Sequence, residues 1–320
     1  MRFVARFVVY AAAAFLAQVA SCAFPQSFPV KPIRLVVGPG SDLVPRLIGQ
    51  KLSGMWGQQI VVDQRTGAGG ILALETAARS PPDGYTWILS TATYSINAGM
   101  YPHATFHIGR DFDPVVLAAT ATFYLLVNPA VPAKSVMELI QLARARPGQL
   151  NYSSAGVATP PHLAGELFKS MANVNIVHVP YKSAAAATTD LVGGQVQVSI
   201  QYVPIAHPYV QAGKLRALAV TSVKRSLIAP DVPTVGESGV PGYEIIGWNG
   251  LHMPAGAPKP IIAKVNSDVL QVLKADDVKE RMLIAGLEPA GLATEEFAAF
   301  VKRDLEHWAK AIEQAGVHGE

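Results

Sequence analysis

Asn151-Tyr152-Ser153-Ser154-Ala155-Gly156-Val157-Ala158-Thr159-Pro160-Pro161-His162 is the stretch whose reading decides the fold. A short strand over 150–152 runs into a loop of small residues. Thr159 stands where a helix N-cap belongs and Pro160 at the first helical position. Leu163, Leu167 and Met171 follow as an apolar stripe. Such a turn gathers backbone N–H groups, hydroxyls and the positive end of a helix dipole at one point. That suits an anion and requires no charged side chain. The design recurs near the start of the chain, where Ile33–Val37 is apolar and Gly38-Pro39-Gly40-Ser41-Asp42 opens a helix. Two facing loops of this kind point to a protein that holds a small carboxylate. They do not by themselves point to catalysis.

Working outward, strand patterns at 33–37, 59–62 and 86–90 alternate with helical ones. One helix carries Leu43, Leu47, Ile48, Leu52 and Met55 on a face, and another runs over about 70–79. This β-α-β-α-β series predicts a parallel sheet with helices on its faces. A second series follows Asp113-Pro114. It has strands at 115–118, 123–127, 150–152, 176–179 and 196–200, and a capping box at Ser135-Val136-Met137-Glu138. Strands at 215–220 and 243–252 come next. The tail is helical: one helix starts at Ala257-Pro258, and the last starts at Thr294 with Phe297, Val301, Leu305, Trp308 and Ile312 on one face. Having no strand series of their own, the tail helices are expected to pack on the first sheet. The sequence thus predicts an α/β fold of two lobes, each a doubly wound, mostly parallel sheet with flanking helices. Lobe one is discontinuous, 24–121 and 221–320, and lobe two is 122–220. The chain crosses between them near Ala121 and Val220, with a ligand cleft between.

The 320 residues suffice for two such lobes. Half are hydrophobic and 15% are charged, which argues against disorder. Residues 1–23 read as an export signal, with Arg2 and Arg6 before an apolar run over 7–20. Ser21-Cys22-Ala23 offers an ordinary cut after Ala23. Val19-Ala20-Ser21-Cys22 also resembles a bacterial lipobox, which would lipidate Cys22. The expected location is therefore periplasmic, soluble or anchored at Cys22. Without Arg2 and Arg6 the chain has 24 basic against 23 acidic residues, so no nucleic-acid footprint is visible. Cys22 is the only cysteine, which leaves the mature body without a disulfide, a thiol nucleophile or a cysteine metal site.

Candidate ligand-binding residues follow from these loops and from the carboxyl edges of the strands. They are Gly38, Pro39, Gly40, Ser41 and Asp42 in the first loop, then Thr91, Thr93 and Tyr94 after the third strand. Ser153, Ser154, Ala155, Gly156 and Thr159 come from the second loop, with His162 in the first turn of its helix. Tyr181 and Gln201 stand at later strand ends. Trp248 reads as core or hinge packing. Gly67-Ala68-Gly69-Gly70 lacks the Gly-Lys-Ser/Thr ending of a P-loop. No metal site, cofactor site or catalytic residue is expected: no Gly-x-Ser-x-Gly elbow exists, and no pair of carboxylates stands out as acid and base.

The chain resembles the substrate-binding proteins of tripartite tricarboxylate transporters, the Bug or TctC-type family. The resemblance rests on an ordered set of runs. Among them are Val61-Val62-Asp63-Gln64-Arg65, Pro82-Asp83-Gly84-Tyr85-Thr86, Arg110-Asp111-Phe112-Asp113-Pro114, Pro147-Gly148-Gln149-Leu150-Asn151-Tyr152 and His178-Val179-Pro180-Tyr181-Lys182. Leu215-Arg216-Ala217-Leu218-Ala219-Val220-Thr221, Pro233-Thr234-Val235-Gly236-Glu237-Ser238-Gly239 and Pro254-Ala255-Gly256-Ala257-Pro258 complete it. The resemblance implies a periplasmic binding-protein fold of type II-like form. It also implies a monomer that captures a small carboxylate and delivers it to membrane permease subunits. Three positions depart from the usual pattern: the short Gly38–Asp42 loop, Thr66 for proline and Ser183 for glycine. The first touches the expected site, so ligand identity does not carry over. Two readings compete: an exported α/β enzyme acting on a small organic acid, and a ligand-binding co-sensor for a signalling system.

Overall fold

The computed structural model describes residues 28–38, 42–65, 70–101, 104–157 and 159–316. The export segment with Cys22, the loop residues Pro39, Gly40 and Ser41, and Ala158 lie outside the described residues.

The first half-sheet begins with three parallel strands in the order β2-β1-β3. They are β1 (Ile33–Val37), β2 (Ile60–Gln64) and β3 (Thr86–Thr91). Helices α1 (Leu43–Trp56) and α2 (Ile71–Ala78) connect them, and α3 (Ala92–Met100) follows β3 without a loop. In α1 the buried residues Val44, Leu47, Ile48 and Leu52 recur at helical spacing and face Leu35, Trp87 and Val265 in one core. Each such side chain contributes about 1.5–3 kcal/mol when fully buried. Met55, expected on the same face, is exposed near the helix end.

The second half-sheet repeats the plan. Here β5 (Asn151–Ser154), β6 (Val177–Pro180) and β7 (Val198–Tyr202) are parallel in the order β6-β5-β7. Helices α4 (Val136–Ala145), α5 (Pro160–Ala172) and α6 (Ala184–Val192) flank them, and α7 (Val203–Gln211) follows β7 directly. Ser135 caps α4 as expected, accepting the Glu138 N–H at 3.2 Å. The Glu138 carboxylate reaches one residue further back than a capping box requires and accepts from the Lys134 N–H at 2.6 Å.

A single strand joins the halves. The sequence suggested separate strands at 115–118 and 123–127; the structure has one, β4 (Phe112–Val127). The intervening 119–122 is Ala-Thr-Ala-Thr, whose small side chains give little strand signal. The outer strands pair in parallel as expected, but the centre is antiparallel. Residues 112–122 of β4 pair with the returning β9 (Ile246–Pro254), and 123–127 pair with β7 and with β8 (Arg216–Val220). One strand leaves the first half-sheet and another re-enters it, so the two run in opposite directions.

The tail holds α8 (Lys259–Leu273), α9 (Asp276–Ile284), β10 (Glu288–Leu292) and α10 (Thr294–Ala315). Neither α9 nor β10 was legible in the sequence, and β10 pairs antiparallel with β4. Packing of the tail is also wider than expected. Helix α10 lies against α3 of the first half and α5 of the second. Its Trp308 shares a core with Leu163 and Phe168. Asp304 of α10 accepts hydrogen bonds from Trp308 Nε1 at 3.1 Å and from Trp248 Nε1 of β9 at 2.8 Å. Burial pushes its carboxyl up to about 6, against the lowering effect of its hydrogen bonds.

Phe297 of α10 packs directly on Gly250 of β9, where a Cβ would overlap the ring. Gly250→Ala is expected to cost about 1–3 kcal/mol by overpacking, read as a lower urea midpoint with the far-ultraviolet spectrum retained. An unchanged midpoint would show that the ring moves aside freely.

Candidate ligand-binding site

A cavity of about 320 Å³ opens where the half-sheets meet, at the carboxyl ends of β3 and β7. Four helices put a first-turn residue in its wall: Val44 of α1, Ala92 of α3, Pro160 of α5 and Pro204 of α7. Each brings the positive end of its dipole. None of the described lining residues is charged. The polar side chains in the wall include Thr91, Thr93 and Asn249, and Thr91 lies directly opposite Asn249 in the β3–β9 register. Thr91 makes no side-chain hydrogen bond to its own helix, so its hydroxyl does not occupy the first-turn N–H groups of α3. Gly247 has no Cβ where the Tyr202 hydroxyl lies; one would stand 2.9 Å from that oxygen.

Of the residues expected from the sequence, Thr91 and Thr93 line this cavity. Tyr94 does not. Its ring is buried in the neighbouring core, and its hydroxyl has no hydrogen-bond partner among the described residues. Gly38 packs against that hydroxyl, 2.5 Å from where a Cβ would stand, so a larger residue there would force the Tyr94 side chain to shift. Asp42 neither caps α1 through its side chain nor enters the cavity; it pairs with Arg46 at 2.6 Å.

The Ser153–Thr159 turn is built differently from expectation. The Ser153 hydroxyl is buried and donates to Ser199 Oγ at 2.9 Å. Ser154 Oγ donates to the Gly156 carbonyl at 3.0 Å, accepts from the Gly156 N–H at 3.1 Å and meets His178 Nε2 at 2.7 Å. Thr159 does not cap α5 through its hydroxyl, which donates to the Gly156 carbonyl at 2.7 Å. Gly156 has φ 129°, which only glycine adopts readily. The turn thus binds itself together, and Ala155 projects no polar side chain. Behind it the His162 and His178 rings stand 4.0 Å apart, and Tyr152 stacks on His178 at 4.8 Å. Tyr181 donates to Asp190 at 2.7 Å. Gln201 is buried beside Ser199, donating to it at 3.3 Å, and its Oε1 has no partner among the described residues. None of these residues lines the cavity. Among the described residues no group of three or more His, Cys, Asp or Glu is placed to hold a metal ion, and no helix is long and apolar enough to cross a membrane.

Sequence reasoning missed Pro204, Ile205, Ala285, Gly286 and Leu287 in the wall. A signal for the first pair existed. Tyr202-Val203-Pro204 is a strand end with proline in the next helical turn, the grammar that singled out Thr159-Pro160. Gly286 carried none; it joins α9 to β10, both unforeseen, and packs directly against the Pro204 ring.

A family model described as tripartite tricarboxylate transporter family receptor matches residues 44–317. A relative from Pseudomonas sp. (strain P51), the UPF0065 protein in the tcbD-tcbE intergenic region, is 38% identical over 291 residues, covering 89% of this chain and 87% of its own. Among solved structures, R. palustris Rpa4515 with adipate is 35% identical at TM-score 0.75, covering 92% of this chain and all of that one. MatC (Rpa3494) from Rhodopseudomonas palustris with bound malate is 30% identical at TM-score 0.70, covering 89% of this chain and all of that one.

Burial, with the neighbouring His162, holds His178 down to about 4; Lys169 lowers it further and Glu166 opposes. Its folded pKa lies below the ordinary value of 6.5. The imidazole therefore contributes fully above that value, and the contribution is lost as pH falls toward 4, where only the unfolded chain takes the proton. Asp304, whose pKa is raised, acts in the opposite sense over the same window, but it is common to wild type and variant. The stability gap between wild type and His178→Asn should therefore narrow as urea melts move from pH 7 to 4.5. A gap that stays constant would mean that His178 titrates normally.

Proposed function

The chain belongs to the tripartite tricarboxylate transporter receptor family, and from that membership we propose that it is an exported receptor that captures a small carboxylate between its half-sheets. The observation that carries this reading is the convergence of four helix N-termini on a cavity whose described wall has no charged side chain. An anion there is held by oriented dipoles and hydroxyls. The adipate and malate of the two solved relatives belong to the same chemical class. The carboxylate sits at the first turn of α3, where the Thr91 and Thr93 hydroxyls and the Asn249 amide surround it. Val44 in the first turn of α1 stands in the wall of the same cavity, and Pro160 at the start of α5 stands in it from the second half.

In this reading the lobes are 24–121 with 221–320, and 122–220. They close as rigid bodies about the middle of β4 and the return near Thr221, and the membrane subunits of a tripartite transporter read the closed form. Thr221 is suited to a hinge: its hydroxyl accepts from the Phe123 N–H at 3.0 Å, and its carbonyl accepts from Ile245 at 2.9 Å, so both crossing segments meet there. The protein works as a monomer and without catalysis. What supports the reading as a receptor is the family itself, whose model describes a receptor. Ser154 and His178 are within hydrogen-bond distance, but the serine is fully buried and the imidazole lies between aromatic rings.

Losing a hydrogen bond to a charged group costs about 1.5–3 kcal/mol. Thr91→Val and Thr93→Val should therefore each weaken carboxylate binding by about ten- to a hundredfold in calorimetry, with unliganded melting temperature retained. Wild-type affinity in both would remove the carboxylate from this pole. Export makes a separate prediction. Mass spectrometry of the exported protein should find a start after Ala23 or a lipidated Cys22, and an intact Arg2 would contradict both.

A further inference from the structure

The two sides of the cavity are chemically unequal. The polar side chains Thr91, Thr93 and Asn249 all belong to the first half-sheet, with the first turn of α3 between them. The second half meets the cavity with Pro160, Tyr202, Pro204 and Ile205. Both of its helices start with proline in the first turn, Pro160 and Pro161 in α5 and Pro204 in α7. Proline has no N–H, so α5 loses two first-turn donors and α7 loses one, which weakens both helix ends as anion sites. The neighbouring turn does not replace them. The Gly156 N–H goes to Ser154 Oγ and the Thr159 N–H to the Gly156 carbonyl at 3.4 Å. The Ser153 hydroxyl goes to Ser199. The Tyr202 hydroxyl lies over Gly247, toward the first half.

From this asymmetry we propose that the ligand is an amphipathic monocarboxylate. Its charged end lies against Thr91, Thr93 and Asn249, and a hydrocarbon or aromatic body fills the side formed by Pro160, Pro204 and Ile205. The inference rests on the carboxylate-receptor reading above and narrows its substrate class. A second carboxylate on the far side would shed its water against prolines and an isoleucine, where the Tyr202 hydroxyl is the one polar side-chain group among the described lining residues of that side, which disfavours it. A methyl group or ring in the same place gains by leaving water. The dipoles of α5 and α7 still favour electron-rich groups weakly, which suits the face of an aromatic ring better than a buried full charge.

Two matched pairs test the inference by titration calorimetry on the full exported chain: hexanoate against adipate, and benzoate against terephthalate. Within each pair only the far end changes, from hydrocarbon to carboxylate. The monocarboxylate should bind at least tenfold more tightly in whichever pair binds, and Ile205→Arg should reverse that order by supplying the missing charge. Adipate or terephthalate binding as tightly as its partner in the wild-type protein would overturn the monocarboxylate inference and leave the receptor reading standing. If no carboxylate in either pair binds, both fall.

Discussion

Strand β4 changes partners at Thr122: before it the neighbours are β9 and β10, after it the neighbours are β7 and β8. Because the backbone ladder is obligatory for buried strands, this 16-residue segment fixes how the two half-sheets face each other. The carboxyl ends of β3 and β7 consequently open onto one gap, and the helices that follow them begin at its edge without a loop. The cavity is a product of topology before it is a product of side chains.

That placement is what the proposed anion site relies on in a cavity without a charged side chain in its described wall. Each helix contributes about half a unit of positive charge at its start, fixed by backbone geometry. Holding such dipoles in a buried gap needs rigid support behind them, and the core supplies it. Trp248 lines the cavity on one side and donates to buried Asp304 on the other, which also holds Trp308. Helix α10 thereby braces the cavity wall while touching both half-sheets. A movement of one half against the other must be accommodated along this helix as well as at Thr221.

Much of this was legible in the sequence where one physical signal dominated. Short apolar runs located β1 and β3 to within a residue, period-3.6 patterns located the buried faces of α1 and α10, and proline at a first helical turn located α5. Signals that depend on tertiary context were not legible. The middle of β4 is alanine and threonine, and its extended form comes from two ladders of hydrogen bonds rather than from its own propensity. Strand β10 contains Pro289 and Gly291, which argue against a strand. The site divides in the same way. Thr91 and Thr93 could be placed because they follow a strand end directly. The directions of the Ser153 and Ser154 hydroxyls could not, because they depend on Ser199 and His178, each brought in by another strand. The division of the cavity into a polar and an apolar side emerges only when β3, β9 and α7 meet.

The central claim is that two bodies joined through β4 and a single return close on a carboxylate held between them. Small-angle X-ray scattering of the exported protein tests it most directly, recorded without ligand and with a saturating carboxylate whose binding calorimetry has established. The account predicts a smaller radius of gyration in the bound form. Scattering curves that superimpose with the ligand bound would contradict it.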